Sequence, residues 1–181
     1  KYICKKYNLY FFEDAAEALG SEYKRVKAGK FGDISFHSFH RTKTITSGEG
    51  GALLTDNRVI FEKAKILRDL GRSPKNSYLA DYSSLKYMPS NFQASMAYAQ
   101  LKRIDELLYL KREIYNNYKK ELKSLDVKFN QDNQKSKNGF WAVVVIFKKK
   151  YNLKVTKLLN YLKRKNIFAR PFFKPLTTQK A

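Results

Sequence analysis

Ile34, Phe36 and Ser38 interleave with Ser35, His37 and Phe39, and this period of two predicts a β-strand. Upstream, a short apolar run over residues 8–12 stops abruptly at Glu13 and Asp14, after which Ala15, Ala16, Ala18 and Leu19 predict a brief helix closed by Gly20. Strand, loop and helix thus follow one another, and acidic side chains at the carboxyl end of a strand in an α/β sheet stand where ligands commonly bind. Residues 41–51 are rich in Thr, Ser and Gly and predict a loop with little apolar reason to exist. Residues 51–55 then predict a second strand, Asp56 and Asn57 its turn, and residues 59–70 a helix stopped by Gly71.

Over residues 71–90 the pattern weakens, and Arg72, Ser73, Pro74 and Asn76 mark a long connection of the kind that is frequently functional. Leu101, Ile104, Leu108, Tyr115, Tyr118 and Leu122 recur at helical spacing with Lys and Arg between them, which predicts an amphipathic helix leading from a larger domain to a smaller one. After a polar segment at residues 130–138, residues 140–147 predict a buried strand, 155–166 a helix and 167–173 another strand. The fold class read from this order is α/β, with residues 1–100 in the larger domain, 101–125 as the connecting helix and 126–181 as a small C-terminal α/β domain. No internal repeat or low-complexity segment interrupts it.

The 181 residues, 43% apolar and 15% aromatic, suffice for one ordinary domain or two small ones. The longest apolar stretch, residues 140–147, is too short to cross a bilayer, and no charged-then-apolar leader follows Lys1, so a cytoplasmic location is expected. A single cysteine, Cys4, cannot form an internal disulfide, and with His37 and His40 it gives no zinc-ligand spacing, so no metal site is expected. A net charge of +21 and a pI near 9.9 are what a nucleic-acid binder would carry. The lysines, however, are scattered along the chain, from Lys24 through Lys65, Lys102 and Lys119 to Lys163, with their densest cluster at Lys148, Lys149 and Lys150. Scatter of this kind describes a solvated surface or a nucleotide bias better than a groove, which makes nucleic-acid binding the weakest of the readings and leaves no membrane partner implied.

The segments that carry chemistry are Phe11-Phe12-Glu13-Asp14-Ala15-Ala16-Glu17-Ala18-Leu19-Gly20 and, after Gly32-Asp33-Ile34, Ser38-Phe39-His40-Arg41-Thr42-Lys43-Thr44-Ile45-Thr46-Ser47-Gly48-Glu49-Gly50-Gly51. A third is Lys86-Tyr87-Met88-Pro89-Ser90-Asn91-Phe92-Gln93-Ala94-Ser95, followed by Ala99-Gln100-Leu101. In this order the three closely resemble the DegT/DnrJ/EryC1/StrS family of nucleotide-sugar aminotransferases, and the third resembles its perosamine-synthase branch. The resemblance implies a pyridoxal-phosphate-dependent transferase of fold type I, the aspartate-aminotransferase-like fold. It covers nearly all of this chain but only about the second half of the family's usual length: the rest of the large domain, the glycine- and threonine-containing turn for the phosphate and the aromatic ring stacked on the cofactor would lie upstream. The chain is therefore read as part of a longer protein, and exposed apolar surface is expected on it.

Pyridoxal 5'-phosphate is an electron sink that needs an amine for its aldehyde, an anion beside its ring nitrogen and donors for its phosphate. The resemblance gives the first role to Lys43, which would serve as anchor and, when free, as general base; by charge alone nothing separates Lys43 among the 37 Lys and Arg residues, and it could be a solvated lysine. Asp14 is implied to face the pyridinium nitrogen, although a helix-capping aspartate would look the same. Glu17 matches a position that contacts the ring hydroxyl, and Ser38 one whose hydroxyl binds the phosphate, against the ordinary reading of a strand-end serine. Gly48, Gly50 and Gly51 would let the loop fold tightly behind the lysine. Lys86 stands where family members carry an asparagine that reaches the phosphate in the neighbouring subunit, which implies a homodimer with shared sites; a plain surface lysine fits equally. Arg170-Pro171-Phe172-Phe173-Lys174-Pro175-Leu176 resembles the segment near the substrate, but Thr177 replaces a histidine often found there.

The activity implied is amino transfer from glutamate to a nucleotide-linked keto-deoxysugar, 4-keto-6-deoxy as for perosamine, in O-antigen or other surface-polysaccharide synthesis. A sugar dehydratase of the same fold is one alternative; that branch carries histidine in place of the lysine, so Lys43 speaks against it. The other is a remnant that only dimerises or regulates.

Overall fold

The computed structural model describes residues 1–179, so the end of the expected C-terminal domain, Lys180 and Ala181, lies outside the described residues. Its elements run in chain order as α1 (Tyr2–Lys6), β1 (Phe12–Asp14), β2 (Glu22–Tyr23), β3 (Val26–Lys27), β4 (Ile34–Ser38), β5 (Gly51–Leu54), α2 (Arg58–Leu67), α3 (Asn91–Leu101), α4 (Ile104–Glu121), β6 (Val127–Phe129), β7 (Ser136–Lys137), β8 (Val145–Phe147) and α5 (Val155–Arg164). They fall into two compact units, Lys1–Ile114 with Gln131–Trp141, and Tyr115–Asn130 with Ala142–Ala181. Helix α4 contributes to both. The segment Gln131–Trp141, expected with the C-terminal domain, packs instead with the first unit.

In the first unit, β1, β4 and β5 form a three-stranded sheet in the order β1-β4-β5. β1 and β4 are parallel, with Phe12 opposite Ile34 and Asp14 opposite Phe36, so their carboxyl ends, and with them Asp14 and Ser38, lie at one edge. The register is pinned by acidic side chains that satisfy loop amides. The Asp33 carboxylate accepts from the Phe11 N–H at 2.7 Å, and that of Glu13 accepts from Gly29 (2.7 Å), Phe31 (2.8 Å) and Gly32 (3.2 Å). β4 buries Ser35 and His37 on one face and turns Phe36 outward. Burial pushes the pKa of His37 below its ordinary value, which keeps the imidazole neutral. A second small sheet pairs β2 with β3 and with β7, again within the first unit. In the second unit β6 and β8 are antiparallel, and Tyr115 of α4 packs edge-on against Phe129 at 5.9 Å.

Several sequence expectations change. The strand expected at residues 8–12 lies at Phe12–Asp14, because the chain first forms α1 and then passes through Asn8 with φ of 52°. The helix expected from Ala15 is a pair of turns: Ala18 N–H donates to Ala15 C=O at 3.0 Å and Ser21 N–H to Ala18 C=O at 2.8 Å, three-residue closures with no helical ladder. Residues 140–147 do not form one strand; only Val145–Phe147 do, and Phe140, 2% exposed, belongs to the core of the first unit. Residues 167–173 form no strand among the described residues; Phe168, Phe172 and Phe173 are exposed there. Helix α2 matches the expectation more closely: Asn57 caps it by accepting from Val59 and Ile60, and Gly71, at φ of 66°, donates back to Ile66 C=O at 3.1 Å.

A Cβ at Gly71 would collide with the carbonyl oxygen of Tyr82, in a turn where the Gly71 carbonyl itself accepts from Asp81 N–H at 2.9 Å. Gly71→Ala is expected to lower the unfolding free energy of the protein by about 2 kcal/mol or more, from the left-handed angle and the clash together, as read by chemical denaturation.

The expected exposed apolar surface is present. Tyr78 is 97% exposed, Phe168 84% and Phe12 66%, whereas among the described residues the buried apolar side chains are Ala15, Ile45, Tyr115 and Phe140. No helix among the described residues is long and apolar enough to cross a membrane.

Candidate active site

Between β4 and β5 the chain leaves the sheet and returns, and this excursion carries Lys43. It is closed at its base by Phe39 N–H donating to Gly50 C=O (2.8 Å), Arg41 N–H to Gly48 C=O (2.8 Å) and Ser47 N–H to Phe39 C=O (3.0 Å). Gly48 and Gly50 take φ of 83° and 109°, angles that side-chain-bearing residues rarely adopt, and Gly51 is backed directly against the carbonyl of His37. From α3, Gln100 clamps the excursion: its Nε2 donates to Thr46 C=O at 2.6 Å and its Oε1 accepts from Thr46 N–H at 3.1 Å. Thr44, Ile45 and Ser47 are buried under this clamp, which explains structurally why a glutamine stands in the third motif. A loop without apolar periodicity is thus held by backbone closures and a side-chain clamp from α3.

Lys43 emerges from it with a side chain 12% exposed, and its Nζ lies 2.9 Å from Oε1 of Glu17. The carboxylate that was expected at the ring hydroxyl is, in this chain, the ion-pair partner of the amine. Asp14 ends β1; its Oδ1 accepts from Ala16 N–H at 3.0 Å, and it makes no ion pair among the described residues. Ser38 ends β4 and its Oγ accepts from His40 N–H at 3.2 Å, which leaves the hydroxyl proton for another acceptor. The neighbouring imidazole of His40 is held by Thr42, with Nδ1 3.0 Å from Oγ1.

Lys86 stands apart. It forms an isolated bridge with Asp69 beyond α2, and its Nζ pairs with that carboxylate, whose pKa the hydrogen bond holds below the usual range. No contact among the described residues links it to Lys43, Asp14, Glu17 or Ser38.

One participant escaped the sequence reading. The indole of Trp141 lies over Lys43, with Nζ 4.5 Å from the ring centroid, and its Nε1 donates to the carbonyl of Thr42 at 2.8 Å. The available signal was that this is the chain's one tryptophan; its place after a polar segment made it look like the start of a buried strand.

The structure pairs Lys43 with Glu17 and sets Asp14 and Ser38 at the carboxyl ends of adjacent parallel strands, groups whose chemistry suits a cationic heterocycle bearing an aldehyde and a phosphate. Residues 1–181 match the DegT/DnrJ/EryC1/StrS aminotransferase family throughout. The chain belongs to this family.

Among similar proteins of the family, a GDP-perosamine synthase of Vibrio cholerae is 33% identical over 97% of the chain and 48% of its own length. The putative pyridoxal phosphate-dependent aminotransferase EpsN of Bacillus subtilis is 34% identical over 98% of the chain and 45% of its own length. The solved structure of PseC from Helicobacter pylori, an aminotransferase involved in pseudoaminic acid biosynthesis, superposes with a TM-score of 0.89 at 28% identity, covering 98% of this chain and 48% of that one. The chain therefore spans about half the length of the curated relatives it matches. The fold is an incomplete fold-type-I domain, and pyridoxal 5'-phosphate is the family's cofactor. The residues present fit that group: Lys43 offers the only largely buried amine paired with a carboxylate at this sheet edge among the described residues, and Asp14 and Ser38 keep an acceptor and a donor uncommitted to any ion pair.

Proposed function

We propose that the protein containing this chain transfers an amino group from glutamate to the keto carbon of a nucleotide-linked 4-keto-6-deoxysugar, in the synthesis of amino sugars for O-antigen or other surface polysaccharide. The observation that carries the reading is the Lys43 amine, largely shielded and 2.9 Å from Glu17 on a clamped loop beside the ends of β1 and β4. When bound, pyridoxal phosphate supplies the electron sink that makes loss of a proton from the amino-bearing carbon feasible. Lys43 would anchor it, and as a free amine would carry the proton between donor or sugar carbon and cofactor. Asp14 would hold the proton on the ring nitrogen, and Ser38 would donate to the phosphate. Glu17 would receive the ammonium form of Lys43 each time the amine is released, and meet the ring hydroxyl when it is not. Lys86 is assigned to the phosphate in a second subunit of a cytoplasmic homodimer, where it would exchange the carboxylate of Asp69 for a phosphoryl oxygen.

The test is incubation of the full-length protein with glutamate and GDP-, UDP- or dTDP-linked 4-keto-6-deoxysugars, read by mass spectrometry. Equal amounts of amino sugar and 2-oxoglutarate are expected. A product lacking a hydroxyl and carrying no nitrogen would identify a dehydratase instead, and absence of turnover with every keto sugar would reject the proposal.

A further inference from the structure

We infer that Trp141 is a positioning residue for Lys43: its indole fixes the direction of the amine by walling off one side of it. The inference rests on the reading of Lys43 as the cofactor anchor.

An ion pair alone directs a lysine poorly, because the ammonium can rotate about Glu17 while keeping the contact and the four-carbon stem has many rotamers. Trp141 removes most of that freedom. With the ring centroid 4.5 Å from Nζ on one side and Glu17 2.9 Å away on another, the side chain is left 12% exposed. A wall is useful only if it cannot move, and this one is held from three directions. Nε1 donates to Thr42 C=O at 2.8 Å, so the ring is tied to the residue immediately before the lysine and travels with its backbone. The Trp141 carbonyl accepts from Nζ of Lys111 on α4 at 3.2 Å. Burial pushes the pKa of that ammonium down, so the contact is a partly desolvated one, stronger than a surface hydrogen bond. The preceding Phe140 is buried, with the guanidinium of Arg112 4.7 Å from its ring centroid and its N–H donating to Oδ1 of Asn138 at 2.8 Å. A lysine that alternates between covalent anchor and free base must return to one place, and a fixed aromatic face beside it supplies that place without consuming a charge.

The experiment uses coenzyme-free full-length protein. Brief acetylation followed by peptide mass spectrometry compares Lys43 with Lys163, an exposed lysine of α5. Trp141→Leu should raise the Lys43 to Lys163 labelling ratio about five-fold, whereas Trp141→Phe, which keeps a ring over the amine, should stay within about two-fold of the unsubstituted protein. In the loaded enzyme Trp141→Leu should lower kcat with KM for the sugar little changed, and Trp141→Phe should restore most of it. An unchanged labelling ratio in folded Trp141→Leu overturns the inference. A second measurement needs no substitution of Trp141: after reductive 13C-methylation, the signal lost in Lys43→Arg should lie upfield of that of Lys163, which stands over no ring among the described residues, because of the indole ring current, and its coincidence with the Lys163 signal also overturns the inference. If borohydride fails to trap the coenzyme on Lys43 in the unsubstituted protein, the functional reading falls by itself, and the labelling and ring-current results still decide the role of Trp141.

Discussion

Lys43→Arg in the full-length protein should fold normally and yet lose amination by about 10³-fold or more, with no coenzyme trapped on the chain by borohydride. Arginine keeps what the structure shows around this position. Its guanidinium can accept the place of the ammonium beside Glu17, 2.9 Å from Nζ of Lys43, and can stack on the indole of Trp141. It cannot become a neutral nucleophile near neutral pH, so it neither forms the covalent link nor carries a proton. The substitution thereby separates the electrostatic role of residue 43, which survives, from its chemical role, which does not. Lys43→Ala should lose activity equally but also leaves the Glu17 carboxylate without its cation, so any change of stability it shows has a second cause. Intact-mass analysis after reduction and a coupled assay for 2-oxoglutarate read both quantities. Retention of turnover within tenfold by Lys43→Arg would reject this residue as the anchor.

How much of this was legible beforehand depended on whether local pattern or distant partners fix an element. Strand β4 and helices α2, α4 and α5 were legible, because each repeats its apolar positions at the period of its element. Helix α3 was not: its sequence, NFQASMAYAQL, has no single apolar stripe, and what opens it in the structure is a capping box in which Ser90 and Gln93 satisfy each other's backbone. The hairpin of β2 and β3 was invisible because its strands have two residues each and its turn is Lys24-Arg25, both at positive φ where Asn-Gly would be expected. Residues 167–173 have the apolar content of a strand but belong to no strand among the described residues, and propensity alone does not make a sheet.

The site divides along the same line. Asp14, Ser38 and Lys43 were all singled out by motif; the structure then puts Asp14 and Ser38 at the carboxyl ends of β1 and β4. The Lys43–Glu17 pair spans 26 positions and the Trp141–Thr42 bond spans 99, so neither has a local signature. The same holds for Gln100, whose two bonds to Thr46 reach back 54 positions and are the reason a periodless loop is ordered. Motif resemblance supplied residue roles, while the structure supplied what no motif states: which side chains hold the loop, and which one faces the amine.

Asp14→Asn should lower kcat by about 10²-fold to 10³-fold while leaving the fold and the sugar's KM nearly unchanged. The structural cost is small because Asp14 is exposed at the end of β1 and its one hydrogen bond, from Ala16 N–H to Oδ1 at 3.0 Å, can be accepted equally by an asparagine amide oxygen. What asparagine lacks is the negative charge. A neutral amide beside a ring nitrogen does not favour its protonated form, and an unprotonated ring withdraws electrons poorly from the reacting carbon. The loss should therefore fall on the chemical step, and coenzyme should still be trapped on Lys43 by borohydride, in contrast to Lys43→Arg. Asp14→Glu separates charge from placement: it restores the anion but lengthens the side chain by a methylene, and from a strand end whose register is fixed by Asp14 opposite Phe36 it should recover only part of the rate. Single-turnover kinetics followed at the coenzyme absorbance measure the step directly. A kcat for Asp14→Asn within threefold of the unsubstituted enzyme would remove Asp14 from the site and leave Glu17 as the nearest carboxylate able to take its place.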